Sequence, residues 1–153
     1  MSDLKSLLEP VSRLVTTLDL SDTAAAEAAL GAAFPPNGDR IRDIETSARA
    51  GMADGTVCHR GDDGMRFSRI NKPEADAANC SVDAVYMTDA KGPRHSHTKG
   101  EVCLCLPDDD TATFEGRHTT WMVLPPGSTH EPTVAGGAML ILYWWPDGAV
   151  SWD

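Results

Sequence analysis

The chain reads as a mainly β protein, a small sandwich or barrel, carrying an α-helical N-terminal extension. Three observations predict this. Residues 1–53 place apolar side chains at helical spacing, whereas residues 54–153 break into short extended runs separated by turn residues. Within the second part, two histidine-bearing segments have the strand parity needed to meet at one point. At 153 residues with 41% hydrophobic and 24% charged content, the chain is one ordinary globular domain, large enough to bury a core.

In the N-terminal part, Leu4, Leu7, Leu8, Val11, Leu14, Val15 and Leu18 recur at three-four spacing, one apolar stripe on a helix. Pro10 either kinks this helix or opens a second one. Ser21 reads as the N-cap of an Ala-rich helix running to Ala33, which Pro35-Pro36 stops. A third helix is expected over Asp39–Ala50, with Gly51 as its C-cap. These residues carry no obvious chemistry and are expected to pack against the barrel.

The expected strands are Thr56–His59, Met65–Ile70, Ser81–Met87, Glu101–Leu106, Thr119–Leu124 and Ala138–Trp145. Turn signals separate them at Gly61-Asp62-Asp63-Gly64, Asp108-Asp109-Asp110 and Gly136-Gly137. Many short strands with regular turns favour a closed sandwich or barrel over a parallel sheet. In Glu101–Leu106 the even positions, Val102, Leu104 and Leu106, are all apolar and must be covered. Cover is expected both from the N-terminal helices and from a second copy, making a homodimer the expected assembly. Trp144, Trp145 and Trp152 are compatible with such an interface or with the core.

The formal net charge of −10 excludes the basic footprint that nucleic acid or an anionic membrane requires. No apolar run reaches the length of a membrane span. The opening Met1-Ser2-Asp3-Leu4-Lys5 lacks a basic leader and an apolar region, so a cytoplasmic protein is expected. Cys58, Cys80, Cys103 and Cys105 have no spacing that suggests a disulfide framework or a zinc ribbon, and are expected as reduced thiols.

The chemistry lies in Arg94-His95-Ser96-His97-Thr98-Lys99-Gly100-Glu101 and Pro125-Pro126-Gly127-Ser128-Thr129-His130. His95 and His97 alternate on one strand face, Glu101 keeps their parity beyond Gly100, and His130 follows a Pro-Gly turn. Three imidazoles and a carboxylate form a candidate ligand set for a divalent transition metal such as Fe, Mn, Zn or Ni, with coordination positions left for water or substrate. Glu101 is either a fourth ligand or a general acid/base beside a three-histidine ion. Cys103 and Cys105 share its parity, as small apolar filler or as further ligands. Arg66 and Arg69 are candidates for gripping a carboxylate, although their spacing lets one at most face inward on a regular strand. Tyr86 is a candidate hydrogen-bond donor or aromatic wall. His118 is expected in a solvated loop, and His59 receives no role.

The pair HxHxxxE and PxGxxH resembles the two-part metal motif of the cupin superfamily. The resemblance implies a cupin-type double-stranded β-helix, a jelly-roll barrel. A narrower likeness runs through Arg66-Phe67, Ser81–Met87, Gly92-Pro93, His95-Ser96-His97, Gly100-Glu101, Phe114-Glu115-Gly116, Pro125–Val134, Gly136-Gly137 and Leu140–Tyr143. These stretches resemble the 4-hydroxylaminobenzoate lyase family, although Val102-Cys103-Leu104-Cys105 departs from the acidic and aliphatic residues of that pattern. The resemblance implies conversion of 4-hydroxylaminobenzoate to 3,4-dihydroxybenzoate with release of ammonia. Glu101 would serve the proton transfers and an arginine would orient the small aromatic acid. The same ligands also suit an iron-dependent dioxygenase of a catechol-like or diketone substrate. A non-catalytic cupin that binds a small ligand is the third reading.

Overall fold

The computed structural model describes residues 3–73 and 78–152. Three helices come first: α1 (Leu4–Thr17), α2 (Thr23–Ala33) and α3 (Asp39–Asp54). The stripe predicted for α1 buries Leu7, Leu8, Val11 and Val15. Pro10 lies inside this single helix, where it removes one backbone donor without ending the element. Asp22, not Ser21, caps α2, its carboxylate accepting from the Ala25 amide at 3.2 Å. The third helix also runs past the expected stop. Gly55 takes the left-handed C-cap conformation at φ 84°, and Gly51 is an interior, buried residue. Glycine is required at 51 for a different reason: a Cβ there would stand 2.4 Å from the Val57 side chain. Among the described residues, no helix is long and apolar enough to cross a membrane.

Among the described residues ten strands follow: β1 (Arg60–Asp62), β2 (Met65–Asn71), β3 (Cys80–Lys91), β4 (His95–His97), β5 (Glu101–Pro107), β6 (Thr113–Phe114), β7 (Trp121–Leu124), β8 (Ser128–His130), β9 (Thr133–Pro146) and β10 (Ser151–Trp152). The larger antiparallel sheet has the order β1-β2-β3-β9-β5-β7, with β6 paired to β9; the smaller has the order β10-β4-β8. This is the jelly-roll arrangement expected from the sequence.

Two expectations for the strands need correction. Thr56–Cys58 is a connection rather than a strand, held by the Gly51 carbonyl and by the Ser68 hydroxyl, which accepts from the Cys58 amide. Gly136-Gly137 is not a turn but a bulge within β9. The register passes from Thr88↔Ala138 to Ala90↔Val134, so Ala135–Gly137 stand opposite Asp89 alone. Positive φ at both glycines permits the bulge, and the Asp89 carboxylate accepts from the Gly136 amide at 2.8 Å.

The large sheet separates two apolar regions. Val102, Leu104, Leu106, Leu140, Leu142 and Trp144 pack with the helices, which supply the part of the cover over the outer face of β5 expected from the chain's own N-terminal segment. Cys103, Cys105, Met122, Phe114, Met139 and Ile141 form a second cluster on the opposite face, inside the barrel. Fully burying each large side chain contributes about 1.5–3 kcal/mol. Strand parity therefore divides each long strand into one row serving the helix contact and one serving the interior.

Candidate metal centre and cavity

The smaller sheet carries the histidines and the larger carries the carboxylate. In the antiparallel pair β4–β8, His95 stands directly opposite His130, while His97 is two residues along on the same face. Ring centroids of the three imidazoles lie 4.7–4.9 Å apart. Glu101 opens β5 directly after Gly100, whose φ of 93° makes the corner between the sheets. One ligand atom from each of His95, His97, Glu101 and His130 falls within 4.8 Å of the others. His95, His97 and Glu101 are buried and His130 is half-buried.

Each imidazole has a partner on its Nδ1 side. The Pro93 carbonyl lies 3.0 Å from His95 Nδ1, the Ser128 hydroxyl 3.0 Å from His97 Nδ1, and a Glu115 carboxylate oxygen 3.3 Å from His130 Nδ1. Such outer contacts set ring orientation and tautomer, directing Nε2 inward. Glu101 Oε2 touches His97 Nε2 and lies 3.6 Å from His95 Nε2. The carboxylate is itself gripped from two sides: Trp145 Nε1 donates to Oε2 at 2.8 Å and the Cys103 thiol to Oε1 at 2.9 Å.

Electrostatics follow from this packing. Burial alone would raise the Glu101 carboxyl, but contacts from His95 and His97, with the Cys103 thiol, outweigh it and hold it well below the ordinary carboxylate range. Burial pushes the His130 imidazole below its ordinary value, against the opposing charges of Glu101 and Glu115. A carboxylate that stays ionised beside a neutral imidazole is the protonation pattern of a metal site. The thiols point the other way. Burial drives Cys103 well above its ordinary value and Cys105 up to about 12, so both remain protonated interior packing.

Beside the cluster opens a cavity of 440 Å³, a size suited to a small molecule. His95 and Glu101 line it, together with Tyr143, Trp145, Arg69 and Asp83. Of the two candidate arginines, Arg69 is the one that lines the cavity, and Arg60 lines it as well. Arg66 and Tyr86 do not line the cavity, contrary to the sequence expectation. They are direct cross-strand partners on the opposite face, with the Arg66 guanidinium 5.5 Å from the Tyr86 ring and the Tyr86 hydroxyl bonded to Asp108. Parity is the reason: both positions are even in strands whose odd positions point inward. His118 is exposed in a loop, as expected, with its Nδ1 3.3 Å from the Ala112 carbonyl.

The sequence reading missed Asp83, Tyr143, Trp145 and Glu115. Asp83 did carry a signal, being a lone charge in an otherwise apolar strand run. Burial raises its carboxyl above the ordinary value, with the Arg69 guanidinium opposing. The others became visible only through cross-strand register.

An antiparallel two-sheet barrel with HxHxxxE and PxGxxH converging inside it has the cupin fold, and the converging side chains could hold a metal ion. A family model described as 4-hydroxylaminobenzoate lyase (PnbB) matches residues 10–152. The chain belongs to that family. A protein of Pseudomonas putida named 4-hydroxylaminobenzoate lyase is 29% identical over 158 residues, covering 92% of this chain and 89% of its own. A protein of the same name from Nocardioides sp. (strain LMS-CY) is 29% identical over 133 residues, covering 81% and 79%. Among solved structures, an RmlC-like cupin from Ralstonia eutropha JMP134 is similar at a TM-score of 0.41 and 12% identity, over 55% of this chain and 57% of that one.

Proposed function

We propose that this chain is a metal-dependent lyase that converts 4-hydroxylaminobenzoate and water to 3,4-dihydroxybenzoate and ammonia. The observation that carries the reading is the convergence of four ligand-capable side chains, two of which line a mostly apolar cavity, in a member of this family. The net reaction takes up one water, releases one ammonia and needs no external oxidant or reductant.

His95, His97, His130 and Glu101 would hold a divalent transition ion such as Fe, Mn, Zn or Ni. The fit rests on more than spacing. His130 Nε2 is buried with no hydrogen-bond partner among the described residues, a costly arrangement that a bound cation relieves. When bound, such an ion supplies Lewis acidity toward the hydroxylamino oxygen, the group that must leave the nitrogen. The chain's own residues supply the rest. Tyr143 and Trp145, with ring centroids 5.0 Å apart, offer an aromatic wall for the substrate ring. Arg69 offers donors for the carboxylate. Glu101, held ionised by its donors, suits the role of ligand better than that of a proton donor at neutral pH.

The test is anaerobic incubation of purified, ion-loaded protein with 4-hydroxylaminobenzoate, following ammonia and 3,4-dihydroxybenzoate. Equimolar formation of both, abolished by a chelator and restored by added ion, is expected. No ammonia would overturn the lyase reading. Product formed only with consumption of oxygen would transfer the same pocket to the dioxygenase reading.

A further inference from the structure

The inner wall holds an ion pair that the ligand cluster leaves unused. Arg69 donates to Asp83 through Nε at 2.8 Å and Nη2 at 3.3 Å, a two-point contact between direct cross-strand partners. Asp83 is 7% exposed, whereas the Arg69 side chain is 46% exposed and reaches the cavity. The register of β2 shifts between Arg69 and Asn71, and a bulge at this point re-aims the side chain beside it. Across the sheet, Asp83 pairs with Tyr143, which pairs in turn with Cys103. Arg69 therefore begins a row of inward residues that ends beside Glu101, about 14 Å away along the sheet at three strand spacings.

We propose that Asp83 is a positioning residue for an aromatic-acid clamp. By occupying one edge of the Arg69 guanidinium, it holds the remaining donors toward the cavity to grip a carboxylate whose ring carries its reactive group at the opposite end. The inference rests on the lyase reading for the identity of that reactive group, but not for the clamp itself. Guanidinium has five donors, so a carboxylate on Nε and Nη2 leaves the Nη1 side available to a second carboxylate. Asp83 also offsets the charge of Arg69, so this pair recognises a carboxylate by hydrogen-bond geometry rather than by net charge. A ring with its two groups at opposite corners spans from this clamp to the ligand cluster; one with adjacent groups does not.

Binding of 4-hydroxybenzoate and of phenol to the purified protein, read by tryptophan fluorescence or calorimetry, tests the clamp independently of turnover. The wild-type protein is expected to bind 4-hydroxybenzoate at least about tenfold more tightly than phenol. Asp83→Asn should lose most of that difference while leaving phenol binding unchanged. In turnover of 4-hydroxylaminobenzoate, it should raise KM about tenfold with kcat within about threefold. Asp83→Glu, which restores the carboxylate, should recover part of the preference and provides a second reading if the Asn variant does not fold. Equal weakening of both ligands, or a fall in kcat at unchanged KM, would overturn the proposal. Absence of ammonia from the wild-type protein would defeat the lyase reading while the two binding measurements still decide the clamp.

Discussion

Trp144 and Trp145 are consecutive residues of β9 that serve opposite halves of the molecule. Trp144 is fully buried among the helices, and its Nε1 donates to the Ser12 hydroxyl of α1 at 3.0 Å. Trp145 points into the barrel, and its Nε1 donates to Glu101 at 2.8 Å. On the outer face, the polar tip of the ring ties a helix to the sheet, and its body fills the interface. On the inner face, the same chemistry restrains a carboxylate that meets the imidazoles of His95 and His97. One face is built for stability; the other leaves polar groups unsatisfied for a ligand.

The sharpest way to break this contrast is to remove an inner ligand. His97→Ala should cut ammonia release by more than about 100-fold and abolish stoichiometric metal, as read by elemental analysis, while circular dichroism remains that of the folded chain. An unchanged metal content would dismiss the cluster as the ion site. The matching change on the outer face is Trp144→Ala. Loss of this buried ring should lower unfolding free energy by about 3–5 kcal/mol in chemical denaturation, provided folding remains two-state. Trp145→Phe lies between the two. It should keep most of the stability, losing about 1 kcal/mol, yet weaken metal affinity by about 10–100-fold in a competition titration with a chelator.

Acid should distinguish the two faces through the imidazoles. Because burial lowers the folded-state value of His130, the unfolded chain binds the proton first as pH falls past about 6.5. The ion-free protein should therefore lose stability between about pH 7 and 5, and His130→Gln should flatten that slope in denaturation curves taken across the range. Protonation also competes with the ion, so metal retention should fall in the same direction. The smallest effect is expected from Arg66→Ala. With its guanidinium over Tyr86 on the outer face, the variant should keep activity within about twofold and stability within about 0.5 kcal/mol. A large loss of substrate affinity would return Arg66 to the cavity.

Legibility followed the length scale of the signal. His95, His97, Glu101 and His130 were readable because alternation within a strand and one glycine corner are local rules. The apolar even row of β5 was readable for the same reason, as was the α1 stripe. The end of α3 was misread because Gly51 answers to Val57, a tertiary contact, whereas the cap falls at Gly55. Gly136-Gly137 carries the composition of a turn but sits in a bulge opposite Asp89, which only strand pairing reveals.

By itself, the sequence determined the β class, the helical lead, and the four groups able to hold an ion, because periodicity and short-range spacing are written into neighbouring residues. Only the tertiary structure decided that Arg69 rather than Arg66 faces the cavity, that Asp83 pins it, and that Trp145 and Cys103 hold Glu101. Those choices depend on the register between strands far apart in the chain. A shift of one residue exchanges every inward side chain for an outward one.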